Sequence, residues 1–256
     1  MNILLTNDDG VYAEGLQALR QEMEQFDKAE IYVVAPDRER SATGHAITMH
    51  RPLFAEEVRF PGSRSKCYSV TGTPADCTKL AIEALLGARP DLVISGINRG
   101  ANLGTDVFYS GTVSAAIEST ILGIPSIAVS LAAWRHPDFT LAARFARQMA
   151  RKTMEQGLPR GTLLNVNVPA VDPSLCAGVV VTKLGVRLYK DVFDRRTDPR
   201  GREYYWLAGE LMESGNDPDS DVAAVSNNQI SVTPIHLDLT SHSLRDIIQK
   251  WGLEEM

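Results

Sequence analysis

Over its first two-thirds the chain alternates short, unbroken apolar runs with windows whose apolar residues recur three and four positions apart. This rhythm constrains the fold more than any other feature. Strands that are apolar at every position must be buried on both faces, which calls for a parallel sheet between two helical layers. Residues 3–6 form a first apolar run, and Leu16, Leu19, Met23 and Phe26 follow at helical spacing. Residues 31–35 (Ile-Tyr-Val-Val-Ala) form a run rich in β-branched residues and stopped by Pro36. Thr73-Pro74-Ala75-Asp76 has the form of a helix start, with Thr as cap, Pro in the first turn and an acid three residues on. That helix is expected to run through Leu80, Ala81, Ala84 and Leu85 to Gly87. Residues 92–95 read as a strand leading into a glycine-rich loop, and 112–122 as a helix with an apolar stripe of Val113, Ala116, Ile117, Thr120 and Ile121. A strand over 126–130, a helix over 141–155 and a strand over 163–168 complete the series.

After Gly178 the character changes. Val179-Val180-Val181 reads as one more strand, and 187–207 as a long hairpin turning at Asp198-Pro199-Arg200-Gly201, with Tyr204, Tyr205 and Trp206 in its second arm. A lone hairpin is marginal in water, so it must pack on a partner subunit or on its own domain. Residues 215–220 are rich in turn formers, and a last helix is expected over 242–251. The expectation is therefore an α/β doubly wound, mostly parallel sheet over 1–178, joined to a C-terminal extension over 179–256 carrying a β-hairpin and a terminal helix.

A length of 256 residues suffices for one full core. The net charge of −6 offers no basic face to polymeric nucleic acid, although a helix terminus or a cation can still draw a small anion. Cys67, Cys77 and Cys176 are odd in number and widely spaced, against both a disulfide framework and a zinc site; Cys77 falls at an apolar helical position and reads as core. No basic segment followed by a long apolar run opens the chain, and no stretch is long enough to cross a bilayer, so the expected location is the cytoplasm.

In doubly wound sheets ligands sit beyond the carboxyl ends of the strands. Three polar stretches fall there: Asn7-Asp8-Asp9-Gly10, the segment 38–43, and Gly96-Ile97-Asn98. Two adjacent aspartates repel each other, and a strand would point them apart. A turn at Gly10 with positive φ would let both carboxylates converge, and the usual reason to converge them is a hard cation. The same window also fits a turn in which Asn and Asp merely cap the next helix. Tyr109-Ser110-Gly111-Thr112 opens a helix, and its hydroxyls and free N–H groups could cradle a phosphate or serve only as a cap. No dinucleotide fingerprint, phosphate-binding P-loop, G-x-S-x-G elbow or zinc-type histidine pair is present. Of the five histidines, His45, His50, His136, His236 and His242, only His45 lies near the suspected site, as a surface or supporting residue.

Five blocks, Thr6-Asn7-Asp8-Asp9-Gly10, Arg40-Ser41-Ala42-Thr43-Gly44, Gly72-Thr73-Pro74-Ala75-Asp76-Cys77, Ser95-Gly96-Ile97-Asn98-Arg99-Gly100-Ala101-Asn102 and Tyr109-Ser110-Gly111-Thr112-Val113, together resemble the SurE family of survival-protein nucleotidases. The resemblance spans nearly the whole chain. It implies a Rossmann-like core with a swapped C-terminal extension, a homodimer or homotetramer, and one divalent cation (Mg²⁺ or Mn²⁺) held by Asp8, Asp9, Ser41 and Asn98. It also implies catalytic roles for Asp8, Asp9 and Asn98, and a substrate phosphate held by Asn98, Ser110, Gly111 and Thr112. The implied activity is hydrolysis of nucleoside monophosphates, as a 5′- or 3′-nucleotidase, extending to short polyphosphate. A nucleotide-binding regulatory module without turnover, and an oligomeric scaffold built through the hairpin, are the rival readings that the fold alone permits.

Overall fold

The computed structural model describes residues 1–135, 137–190, 193–212, 215–251 and 253. His136 lies outside them. At its centre is a nine-stranded sheet. Six strands run parallel, in the order β4 (Lys66–Val70), β2 (Glu30–Pro36), β1 (Asn2–Thr6), β5 (Leu92–Arg99), β6 (Ser126–Ala132) and β7 (Thr162–Pro169). An antiparallel β3 (Ala55–Val58) borders β4. At the far edge β13 (Ile230–His236) runs antiparallel to β7 and parallel to β8 (Val179–Val181).

The apolar runs are buried on both faces, as their composition requires. In β1, Ile3 and Leu5 join one cluster with Leu16, Leu19 and Met23 of α1 (Glu14–Met23) and Ala142, Phe145 and Ala146 of α4 (Thr140–Gln156). Leu4, between them, points into a second cluster with Cys77 of α2 (Pro74–Leu80). On that second side Val113 and Ala116 of α3 (Gly111–Ile121) pack with Ala128 and Leu163. Each fully buried leucine or isoleucine here contributes roughly 1.5–3 kcal/mol relative to an exposed one.

The structure departs from the sequence reading in four places. The strand expected to stop at Ser95 continues to Arg99, because β5 carries a bulge: Ser95 faces Ala128 while Asn98 faces Ser130. Gly96 allows this, since a Cβ there would lie 2.3 Å from the Val129 carbonyl oxygen. The helix from Pro74 loses α geometry after Leu80 and finishes as a π turn over Ala81–Leu85, and Ile121 on the expected stripe of α3 is exposed. Finally β3, β4, β13 and the short α5 (Asp221–Ser226) were not expected at all. β13 carries a proline, Pro234, within the strand. Ile230 and Val232 direct their backbone groups toward β8, so Pro234 does too, but β8 pairs only with Ile230 to Val232. The missing N–H therefore falls where no strand waits for it.

The long hairpin forms from two ladders in one register, and its second arm runs on past the expected end at Leu207 to Met212. β9 (Leu188–Lys190) pairs with β12 (Glu210–Met212), and β10 (Phe193–Thr197) with β11 (Glu203–Leu207). Its base is tied to the short 3-10 helix Gly104–Phe108, where Arg187 pairs with Asp106 at 2.6 Å and the Tyr189 hydroxyl donates to the same carboxylate at 3.0 Å. Past it, α6 (His242–Ile248) ends in a 3-10 turn, Gln249–Trp251.

Candidate active site

The site lies where the strand order switches direction, at the carboxyl ends of β1 and β5. The turn after β1 is shaped by Asn7, which is fully buried. Its Nδ2 donates to the Gly10 carbonyl at 3.0 Å and its Oδ1 accepts from the Gly10 N–H at 3.2 Å. Gly10 has φ +104°, the left-handed conformation expected of it. Neither aspartate caps the next helix, because the N-cap of α1 is Ala13, with no side-chain cap. The capping alternative for Asp8 and Asp9 is thereby removed.

Asp8 is 4% exposed, and its Oδ1 accepts from the Thr112 hydroxyl at 2.5 Å. Burial pushes its carboxyl up to about 6; the Thr112 hydrogen bond opposes the rise and the Asp9 charge adds to it. Asp9 is also raised by burial, against the hydrogen bond its Oδ2 accepts from the Arg99 N–H at 3.2 Å, with the Glu39 charge adding to the rise. Among the described residues neither acid forms an ion pair.

The N-terminus of α3 closes on this pair. Ser110 is its N-cap, accepting from the Val113 N–H at 3.1 Å, which leaves the serine O–H still able to donate. Gly111 is required by proximity: a Cβ there would stand 2.7 Å from the Asp8 Cβ and 2.8 Å from its Oδ2. Asp8 thus abuts the positive end of α3, where the free first-turn N–H groups favour anions. Asn98 donates through Nδ2 to the Gly100 carbonyl at 2.8 Å, and its Oδ1 accepts no hydrogen bond among the described residues.

Of the residues expected in the site, Asp8, Asp9, Asn98, Ser110, Gly111 and Thr112 gather at these two strand ends. The Thr112 hydroxyl is committed to Asp8, and the Ser110 oxygen to its cap. Ser41 is exposed and its hydroxyl donates to Glu39 at 2.8 Å. Its loop nonetheless adjoins the acids, because the Arg40 N–H donates to the Asp8 carbonyl at 2.7 Å. His45 supports that loop: its Nε2 meets Oε2 of the buried Glu118 at 2.8 Å, while Lys79 meets Oε1 at 3.0 Å.

Sequence reasoning passed over the supports of the glycine-rich loop. The Asn102 N–H donates to Asn167 Oδ1 and its Nδ2 to the Ser130 hydroxyl, each at 2.8 Å. Its carbonyl accepts from Asn165 and Asn167 at 2.8 and 2.9 Å. Asn165 and Asn167 alternate with leucine and valine in a buried strand, a detectable signal, since a buried amide needs partners. The fully buried Asp221 accepts from the Gly104 and Gly185 N–H groups, each at 2.8 Å, joining the extension to the same loop.

Among the described residues no three His, Cys, Asp or Glu side chains gather as a metal-binding group. A cation at the acid pair would complete its shell with neutral oxygens. Two neighbouring carboxylates with no ion-pair partner among the described residues, and an Asn98 Oδ1 that accepts no hydrogen bond among them, fit a hard divalent ion.

Fold and site define the class: a doubly wound α/β protein that sets an acidic pair and a helix N-terminus together at the switch point of its sheet. The particular family follows from comparison with known proteins. Residues 3–191 match the family described as Survival protein SurE. A protein of Symbiobacterium thermophilum named 5′-nucleotidase SurE is 62% identical over 98% of each chain. One of the same name from Carboxydothermus hydrogenoformans is 52% identical over 98% of this chain and 96% of its own. The crystal structure of the SurE protein from Aquifex aeolicus superposes with a TM-score of 0.84 at 39% identity, over 98% of this chain and 99% of that one. The chain belongs to the SurE family.

Proposed function

We propose that this protein is a divalent-cation-dependent phosphomonoesterase that hydrolyses nucleoside 5′- and 3′-monophosphates to nucleoside and phosphate, and accepts short polyphosphate. The observation that carries this reading is the Asp8–Asp9 couple, without an ion pair among the described residues, in which buried Asp8 is held against the N-terminus of α3 and half-buried Asp9 against the Arg99 N–H. Names of relatives at 52–62% identity over nearly full length point the same way.

Asp8, Asp9 and the Asn98 amide oxygen are the residues that would hold one Mg²⁺ or Mn²⁺, with Ser41 joining them once its hydroxyl turns from Glu39. When bound, such an ion polarises the phosphoryl group and neutralises developing charge. The chain supplies the rest. Thr112 orients the Asp8 carboxylate through Oδ1, leaving Oδ2 toward the substrate side. Asp8 is also placed to accept the attacking water's proton. The Gly111 and Thr112 N–H groups, the Ser110 hydroxyl and the second Nδ2 hydrogen of Asn98 donate to the phosphate oxygens, stabilising the charge that builds on them.

We assign residues 1–178 to catalysis and 179–256 to assembly of a homodimer or homotetramer. Exposed apolar groups on the hairpin, α6 and the 3-10 turn after it, among them Phe193, Trp206, Leu207, Ile247 and Trp251, support the second role. No helix among the described residues is long and apolar enough to cross a membrane, and we place the enzyme in the cytoplasm. The test is phosphate release from AMP and p-nitrophenyl phosphate with Mn²⁺, with and without a chelator. Chelator-sensitive release is expected; binding of AMP without release would establish a non-catalytic nucleotide binder instead.

A further inference from the structure

Trp134 stands two residues beyond the end of β6, and its indole is 76% exposed. It does not wave freely. A Cβ built on Gly100 would lie 2.9 Å from both Cη2 and Cζ2 of the ring, so the benzo half rests directly on the Gly100 backbone. Only glycine admits this contact. Gly100 is fixed in turn: its N–H donates to the Leu131 carbonyl at 2.9 Å, and its carbonyl accepts from Asn98 Nδ2 at 2.8 Å. The preceding residue, Arg99, holds Asp9 through its N–H.

The indole is therefore seated one residue from the backbone group that orients an acid of the site, on a platform bonded to Asn98. One part of its surface is supported by backbone and the rest is open. Its Nε1 donates to no group among the described residues and faces solvent, where a ligand can reach it. Scattered exposed aromatics are common and need no explanation. A seated one, bonded through its support to the candidate cation ligand, is another matter. A phosphate held at the N-terminus of α3 would leave the remainder of a nucleotide to extend along the strand ends, and a flat π surface of this kind stacks any base.

From these contacts we infer that Trp134 is a specificity-determining residue, stacking on the nucleobase of the substrate and favouring purines for their larger face. This deepens the phosphomonoesterase reading and rests on it. The test compares the unaltered protein with Trp134→Ala and Trp134→Phe on AMP and on ribose 5-phosphate, which carries the same sugar phosphate without a base. In Trp134→Ala the preference for AMP over ribose 5-phosphate, as a ratio of kcat/KM, should fall about tenfold through KM for AMP, and Trp134→Phe should restore most of it. Because Trp206 and Trp251 are the only other tryptophans, adenosine should quench indole fluorescence in the unaltered protein far more than in Trp134→Phe, with a chelator present. An unchanged ratio in Trp134→Ala overturns the inference, whether both substrates suffer equally or neither does. So does a quench that persists undiminished in Trp134→Phe. If the unaltered protein hydrolyses neither substrate, the phosphomonoesterase reading fails, and the adenosine quench decides the stacking contact by itself.

Discussion

Asp8 carries opposed demands, and the opposition is measurable. In the metal-free protein its carboxyl titrates at about 6, chiefly because burial disfavours the charge, whereas in the unfolded chain it returns to the ordinary 3.8. The folded state thus binds the proton more tightly. The stability linked to this group is fully present below about pH 4 and is lost as pH rises through about 6, some 3 kcal/mol in all. Asp8→Asn keeps an acceptor for Thr112 and removes the buried charge. Its chelated form should therefore unfold at higher temperature than the parent at pH 8, with the difference vanishing near pH 4, as followed by circular dichroism. The same variant, like Asp9→Asn, should lose at least about two orders of magnitude in turnover with metal at saturation. Near-parental activity in either would reject the acid pair as the catalytic centre. The cysteines give an independent check. Burial pushes the Cys67 thiol up to about 11 and Cys77 well above its usual value, while Cys176 is half-buried. At pH 8 only about one Cys67 in a thousand would be thiolate, so a maleimide should label Cys176 first and the others only on unfolding. Rapid labelling of Cys77 in the native protein would show that its packing against Leu4 and Val93 is not retained.

At the scale of elements, the start of α2 does more than begin a helix. Thr73 and Asp76 form a full capping box, and Asp76 also accepts from the Thr48 N–H at 2.9 Å and the Thr48 hydroxyl at 2.5 Å. One carboxylate thus caps a helix and tethers the loop that carries Ser41 and His45. Its pKa is lowered: burial alone would raise it, but the Thr48 and Thr73 hydrogen bonds prevail. That stability is present at neutral pH and is lost as pH falls below the ordinary carboxylate range. Asp76→Ala should destabilise the protein by about 1–3 kcal/mol and raise KM more than it lowers kcat, because the loop is loosened while the acid pair stays intact. An unchanged denaturation midpoint at pH 7 would refute the tether. The bulge in β5 makes a harsher prediction. Gly96→Ala would drive a methyl into the Val129 carbonyl, a backbone atom that cannot rotate away, so insoluble or unfolded protein is expected on expression.

At the scale of the whole molecule, apolar surface is concentrated where the sheet offers it no partner. Phe193 and Leu207 face each other across the hairpin ladder, 68% and 71% exposed. Replacing both by serine should turn an oligomer into monomers in light scattering, with little change in the thermal unfolding of the sheet. A monomeric parent at micromolar concentration would remove the hairpin's proposed role.

Much of this architecture was readable from pattern alone. Apolar runs such as Leu92-Val93-Ile94 can be satisfied only by burial on both faces, and Leu16, Leu19 and Met23 only by one stripe, so local chemistry already names strands, helices and the doubly wound class. Thr73 and Asp76 announce their helix start, and Asp8, Asp9 and Gly10 their turn, because caps and turns depend on neighbours in the chain. Tertiary structure alone decided the rest. That Thr112 serves Asp8 across more than a hundred residues, that Gly111 exists to let Asp8 approach, that Pro234 sits just past the end of β8, and that Asn165 and Asn167 hold a distant loop are facts of proximity. Periodicity encodes which side of an element is buried, but it carries no record of which partner arrives there. Partners are settled by close packing and by the need of every buried polar group for a bond, and both become defined only when the whole sheet is assembled.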